Sequence, residues 1–349
     1  MTTQHSTEKT PMARVGRFHH RLRRFIVPAF ALAVFALPLH ATAQPLAPDV
    51  YKGGDRLLAA FRPVAADVRT STVRILLDGE PVALGTVVSE DGYILTKATQ
   101  LRGDITVRLP KGVEKDAKTV AVHGPSDLAL LKIDATGLTP AEWTEAEPEV
   151  GSWLLSVGEG RSPVGVGVVS VAARRIAPQR GVLGIELEID STIKTVFPGS
   201  GAAEAGLQVG DVITAIAGES VDGRDALMGR LRRFRPGDTL PLIYRRGEKE
   251  QEVNATLGNE LTTMIDRQAR QNMMAGPLSV RSGGFDRALQ HDTVLRPEDC
   301  GGPVADLSGR VVGVNIARAG RVETYTLPTS AVRPILSKLM AQDQRTANR

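Results

Sequence analysis

The stretch Arg296-Pro297-Glu298-Asp299-Cys300-Gly301-Gly302-Pro303, continuing as "VADLSGRVVGVNIAR" to Arg318, decides how this chain is read. Its short apolar runs, broken by glycine turns, have the texture of β structure. Cys300 is the only cysteine in 349 residues, so it cannot form an internal disulfide. In an oxidising compartment it is shielded, reactive or paired between chains. Whether it is a nucleophile depends on a base to take its proton. Histidine is scarce: His5, His19, His20 and His40 lie in the first 43 residues, which leaves His123 and His291 for the rest.

Those first 43 residues stand apart. Arg14, Arg17, Arg21, Arg23 and Arg24 form a positive region, Phe25 to Leu39 is mostly apolar, and Ala41-Thr42-Ala43 offers a small-residue cleavage site. The pattern predicts a signal peptide cleaved before Gln44, the alternative being an uncleaved membrane anchor. The segment holds six Lys/Arg and one acid, so the remainder of the chain is close to −1 although the whole is +4. The basic balance belongs to the leader and gives no support to nucleic-acid binding.

Outward from Cys300 the β texture recurs. "STVRILLDGEPVALGTVVSEDGYILT" holds three apolar runs broken by the hairpin dipeptides Asp78-Gly79 and Asp91-Gly92. "DITVRLPKG", "KTVAVHG", "DLALLKID" and "GSWLLSVG" follow, and their even spacing suggests a small antiparallel barrel. Before them, "DRLLAAFRPVAADV" spaces Leu57, Leu58, Phe61 and Val64 as a short helix. After "FDRALQHDTVL" and "VETYTLP", a closing helix is expected in "TSAVRPILSKLMAQ", capped by Thr329 or Ser330, with a frayed tail after Asp343.

The texture changes at Arg180. "GVLGIELE", "VFPGSGAAEAGLQVGDVITAIAGESV", a helix near Asp225–Arg233, "PGDTLPLIYRRG" and "QEVNATLG" make an α+β unit that resembles a PDZ domain. The resemblance implies that the loop Leu183-Gly184-Ile185 offers backbone amides to a peptide carboxylate. It also implies that the strand from Ile185 accepts an added peptide strand.

The flanking β regions resemble the two barrels of a trypsin-like protease. The nearest likeness is the periplasmic HtrA/Deg family, through "GTVVSEDGYILT", "SDLALLKID", "VGSWLLSVGEG", "LQHDTVLRPEDCGGPVADLSGRVVGVNIA" and "YTLPTSAV". The expected fold is mainly β: a trypsin-like double β-barrel with a PDZ-like α+β domain inserted in the second barrel. The expected divisions are a leader (1–43), a lead-in (44–71), a first barrel (72–148) and a second barrel (149–180 and 284–341). They continue with the PDZ-like unit (181–258), a linker helix or loop (259–283) and a tail (342–349).

The resemblance carries the family's catalytic acid onto Asp127 and its nucleophile onto Cys300. The histidine position falls on Thr99, and the oxyanion loop carries Glu298 and Asp299, with Glu298 where the family has glycine. Threonine accepts no proton at neutral pH, so Asp127 would orient no base, although a Thr99–Asp127 hydrogen bond could hold the barrel interface. Glu298 is expected to disfavour an oxyanion and a thiolate through its charge. His123, His291 and Lys97 are off the base position, and Lys97 is expected to be exposed. Val294 is taken as a marker for an apolar pocket if a substrate cleft survives.

The favoured reading is an exported pseudoprotease, periplasmic, cell-envelope or secreted, that binds peptides or unfolded protein segments, C-terminal ones included, without cutting. A working endopeptidase with a Cys300 nucleophile and a non-standard base is the alternative, and a redox or dimer-forming role for Cys300 is a third. No metal or cofactor motif is present in the sequence. Partners are expected to include no nucleic acid and no membrane beyond an uncleaved leader. A homo-oligomer stays open, since trimers are common in the family.

Overall fold

Six strands close the first barrel. They are β1 (Thr72–Leu77), β2 (Glu80–Val87), β3 (Tyr93–Lys97), β4 (Ile105–Arg108), β5 (Glu114–His123) and β6 (Leu128–Ile133), in the order β1-β2-β3-β6-β5-β4. The computed structural model of the chain describes residues 51–259 and 276–347, with Ala47 and Asp49. The leader, and the linker helix except Asn259, lie outside the described residues. Asp78 and Gly79 both take positive φ (51° and 84°) between the paired residues Leu77 and Glu80. This is the two-residue turn whose twist matches a hairpin. Val73, Ile75, Ile94, Val107 and Leu131 fill this barrel.

The lead-in forms two helices where one was expected: α1 (Asp55–Ala60) and α2 (Arg62–Thr70). Phe61 ends the first and opens the second, and Pro63 sits in the first turn of α2, where its missing N–H costs nothing. Both pack on the second barrel, with Leu58, Phe61, Ala65 and Val68 against Leu155, Val166 and Val311.

The second barrel is split in sequence. β7 (Trp153–Ser156) and β8 (Gly165–Ile176) precede the α+β unit, and β17 (Phe285–His291), β18 (Pro303–Ala305), β19 (Val311–Gly320) and β20 (Glu323–Pro328) follow it. They close as β17-β20-β19-β18-β7-β8. Strands β8 and β17 are antiparallel neighbours, with Ile176 opposite Phe285. The inserted unit therefore stands in place of a hairpin loop and leaves the barrel's ladder unbroken.

The inserted unit comprises β9 (Gly181–Val182), β10 (Ile185–Leu187), β11 (Ile193–Val196), α3 (Gly201–Glu204), β12 (Val212–Ile216), β13 (Glu219–Ser220), α4 (Gly223–Leu231), β14 (Thr239–Arg246), β15 (Lys249–Thr256) and β16 (Gly258–Asn259). A sheet β13-β12-β14-β15 and the pair β10-β11 enclose Leu183, Ile193, Ile213, Leu227, Leu242 and Leu257. β9 pairs with β16, Gly181 opposite Asn259, which brings the unit's two ends together. The helix expected near Asp225–Arg233 begins two residues earlier, at Gly223.

The chain closes with α5 (Thr329–Ala347). Thr329 opens it and donates its hydroxyl to Val311 O (3.2 Å), anchoring the helix to β19. The tail expected to fray after Asp343 is helical through Ala347, and Tyr93 donates its phenol to Asp343 (2.7 Å). Val332 and Leu339 of α5 join Leu95, Leu128 and Leu130 of the first barrel and Phe285, Val314 and Leu327 of the second in one apolar cluster.

Candidate functional site

Thr99 follows β3, and Asp127 precedes β6, held at φ +58° at the end of a short 3₁₀ turn, Gly124–Ser126. Aspartate tolerates that left-handed conformation better than most residues. Strands β3 and β6 are neighbours, so the two meet: the Thr99 hydroxyl donates to Asp127 Oδ1 at 2.6 Å and its amide at 2.8 Å. Burial pushes the Asp127 carboxyl up. The Arg281 guanidinium (3.8 Å away), the Thr99 hydroxyl and Lys97 oppose that rise. Arg281 is itself buried and donates to Gly124 O (2.6 Å) and Pro125 O (2.8 Å). Where a triad would hold an imidazole, Asp127 holds a hydroxyl and a guanidinium, neither of which takes a proton at neutral pH.

Cys300 follows the 3₁₀ turn Pro297–Asp299 and is fully buried. Its amide donates back to Pro297 O (3.2 Å), so the N–H that would face a developing oxyanion is spent inside its own turn. Its Sγ donates to Arg296 O at 3.7 Å. Burial pushes the thiol up to about 11, against the pull of Lys97 and the Ser279 hydroxyl. The charge of Asp299 raises it further. Glu298 is half-buried, its carboxylate 3.8 Å from Arg296, and its charge also acts on the buried Lys97. Arg74 pins this loop, donating to Glu298 O (2.8 Å) and to Asp299 Oδ1 (3.3 Å).

Lys97, expected to be exposed, is 3% exposed. Its ammonium donates to Pro297 O (2.6 Å), and burial lowers its pKa against the charges of Cys300 and Asp127. His123 Nδ1 meets Ser126 Oγ at 2.6 Å. His291 is sealed in the second barrel between Thr293 Oγ1 (2.8 Å), Asn315 Oδ1 (2.9 Å) and Thr326 Oγ1 (3.1 Å), and burial lowers its pKa to about 4. Neither histidine has the sulfur among its hydrogen-bond partners.

The chain's own return segment crosses this site. Ser279 N donates to Arg318 O (3.0 Å), and Arg318 N donates to Ser279 Oγ (2.9 Å). Asn259 ties Ser279 O (3.2 Å) and Val280 O (2.9 Å) from the other side. Beyond Val314, Gly301 and Gly302 bond Asn315, and Ser279 takes up the strand edge further on, at Arg318. An added polypeptide would need this edge. Val294 is 47% exposed, while Arg318 is buried nearby and donates to Leu295 O (3.0 Å). Sequence reasoning missed Arg74, Arg281, Ser279 and Arg318, since no motif marks them.

The second candidate site lies in the α+β unit. Leu183, Gly184 and Ile185 form one loop leading into β10, with Gly184 at φ +80°. The loop's carbonyls are taken by Ala202 N and Phe197 N (both 3.0 Å), and among the described residues no backbone acceptor takes the amides of Leu183 or Gly184. β11 pairs with one side of β10, and the other side faces α4. Arg224 N donates to Ile189 O (3.0 Å), and Gly181 N donates to Phe234 O (3.3 Å), so α4 runs antiparallel to β10. Between them is a groove of about 340 Å³ lined by Ile185, Leu187, Lys194, Arg224 and Met228.

Two closed six-stranded barrels, with nucleophile and acid positions at their junction and a loop-and-groove α+β unit inserted, define a trypsin-fold protein carrying a PDZ domain. Residues 83–206 match the family model described as trypsin-like peptidase domain, and residues 165–257 the one described as PDZ domain. The chain is HtrA/Deg-like. It is 26% identical over 279 residues to a probable periplasmic serine endoprotease DegP-like of Brucella suis, covering 72% of this chain and 53% of that protein. It is 24% identical over 200 residues to the periplasmic pH-dependent serine endoprotease DegQ of Escherichia coli, covering 50% and 44%. The chain spans about half the length of the curated relatives it matches. Among solved structures, the serine endoprotease from Yersinia pestis matches at 20% identity and a TM-score of 0.26, covering 57% of this chain and 97% of that one.

Proposed function

We propose that this chain is an exported, HtrA-like pseudoprotease that holds peptides or unfolded polypeptide through its PDZ unit without efficient cleavage. The observation that carries the reading is the state of Cys300: fully buried, its amide bound to Pro297 O, and, among the described residues, no imidazole hydrogen-bonded to it. A thiol held near 11 is almost wholly protonated at neutral pH, and without a base it attacks nothing. The unspent amides of Leu183 and Gly184 and the open side of β10 support capture of a polypeptide end. The naming of the relatives as periplasmic supports export. Among the described residues no helix is long and apolar enough to cross a membrane.

One observation favours the competing reading of a cysteine endopeptidase. Lys97 is buried within electrostatic reach of Cys300, and its pKa is lowered. To act as a base it would have to leave Pro297 O. Digestion of unfolded casein by the wild type and by Cys300→Ala decides between the two. The proposal expects neither to digest; digestion by the wild type that vanishes in the variant would establish the endopeptidase.

A further inference from the structure

A cleft of about 440 Å³ opens between the first barrel and the PDZ unit. Arg102 reaches it from the loop after β3, Arg233 and Arg235 from the segment after α4, and Arg281 from the return segment. We propose that this cleft binds an acidic polypeptide segment, whose Asp and Glu carboxylates are taken by Arg102 and Arg235, with the charge of Arg281 behind them. The site is separate from the groove between β10 and α4 and does not depend on it.

The charge is unbalanced. Four guanidiniums line the cleft against the carboxylates of Asp127 and Asp238. Asp127 is engaged by Thr99 and Arg281, and Asp238 accepts the Arg235 amide (2.7 Å). Arg233 has an exposed partner in Glu219 (3.6 Å). Among the described residues, Arg102 and Arg235 have no carboxylate within ion-pair distance.

Two of these cations are forced together. Arg235 Nη1 and Arg281 Nη1 both donate to Gly124 O, at 3.2 and 2.6 Å. Like charges converging on one neutral oxygen repel, and an anion seated against both would relieve that. Arg235 keeps further N–H groups, arranged in a planar fork that suits a carboxylate, whereas Arg281 donates through Nε to Gly283 O (3.4 Å) and through Nη2 to Pro125 O (2.8 Å) and contributes its charge from the cleft wall.

The cleft also exceeds a single anion. Its volume falls within the roughly 300–1,000 Å³ of pockets that enclose organic ligands. Half-exposed Val122 and the ring of Pro236 add apolar wall, which suits side chains and backbone better than a hydrated inorganic ion. Because three elements supply the arginines, an occupant would bridge the barrel, the PDZ unit and the return segment.

The test is fluorescence anisotropy with a labelled Glu-rich peptide carrying a C-terminal amide, so that it has no carboxylate terminus for the Leu183–Gly184 loop. A Gln-for-Glu counterpart is the control. The full chain should bind the acidic peptide, more weakly as salt is raised, and ignore the counterpart. Arg235→Glu should weaken binding by about tenfold or more, a loss of about 1.4 kcal/mol. Arg235→Gln, which keeps a donor for Gly124 O, should weaken it less. Binding of an apolar peptide with a free C-terminus should stay unchanged. Equal binding of both peptides, binding untouched by either substitution, or capture of inorganic phosphate without the peptide would overturn the proposal.

Discussion

Asp127, at the position the resemblance gives to a catalytic acid, is held by structural partners. A buried carboxylate without partners is costly. Here a hydroxyl from one side and Arg281 from the other meet that need, and the carboxylate joins the barrel to the return segment. Lys97 and Arg281 were illegible as site residues because a charged side chain is buried only when distant partners receive it. Lys97 finds Pro297 200 positions away, and Arg281 finds Gly124 157 positions away. Local sequence contains neither fact. Thr99 and Cys300 were legible because a missing histidine and a lone cysteine stand out by type. His291 gives a prediction at this scale. Its pKa is lowered from 6.5 to about 4 by burial, so below pH 6.5 the unfolded chain takes up a proton that the folded chain refuses. Stability should therefore fall as pH drops through that window, by up to about 3 kcal/mol. Urea unfolding at neutral and at mildly acidic pH measures the loss. His291→Gln, which cannot titrate, should flatten that slope even if it lowers stability at neutral pH, and an unaltered slope would locate the titrating group elsewhere.

Among elements, the return segment governs access to the thiol. Leu278, Ser279, Arg281 and Ser282 are all buried, although three of the four are polar. Ser279 is bonded to β19 through both its amide and its hydroxyl, and Ser282 donates its amide and hydroxyl to Gln179 Oε1 (3.1 and 3.0 Å). No apolar period marks such a segment, because its partners are backbone groups and not a core. The strands and hairpins were legible for the opposite reason, since turn dipeptides and alternation are local. Ser279→Pro removes the donor to Arg318 O and restricts the residue before it. Cys300 is the single thiol of the chain, so its labelling rate under native conditions reports directly on this segment. The wild type should label slowly until it is unfolded. The proline variant should label at least about tenfold faster, reflecting an opening made easier by about 1.4 kcal/mol. Equal rates in two equally stable proteins would show that other contacts seal the sulfur.

At the scale of the whole molecule, the two barrels, α5 and the PDZ unit pack around the junction that holds Asp127 and Cys300. The apolar cluster runs from Leu95 and Leu130 through Phe285 and Leu327 to Val332, so the barrels are one body around that junction. The PDZ unit leans on the same place. Arg102 donates to Gly237 O and Thr239, and a Cβ added to Gly237, whose φ is +91°, would stand 3.2 Å from Thr99 Cγ2. Serine at 300 would inherit the buried setting and an amide still bound to Pro297 O. Restoring the triad by type in Thr99→His/Cys300→Ser should therefore give no casein digestion. Digestion should appear only when residues 276–283 are also replaced by a flexible Gly/Ser stretch, which frees the edge of β19 for a substrate strand. Initial rates of peptide release from the double and the replaced variants measure this. Cleavage by the double variant alone would mean that the residue types, and not the closed architecture around them, keep the site silent.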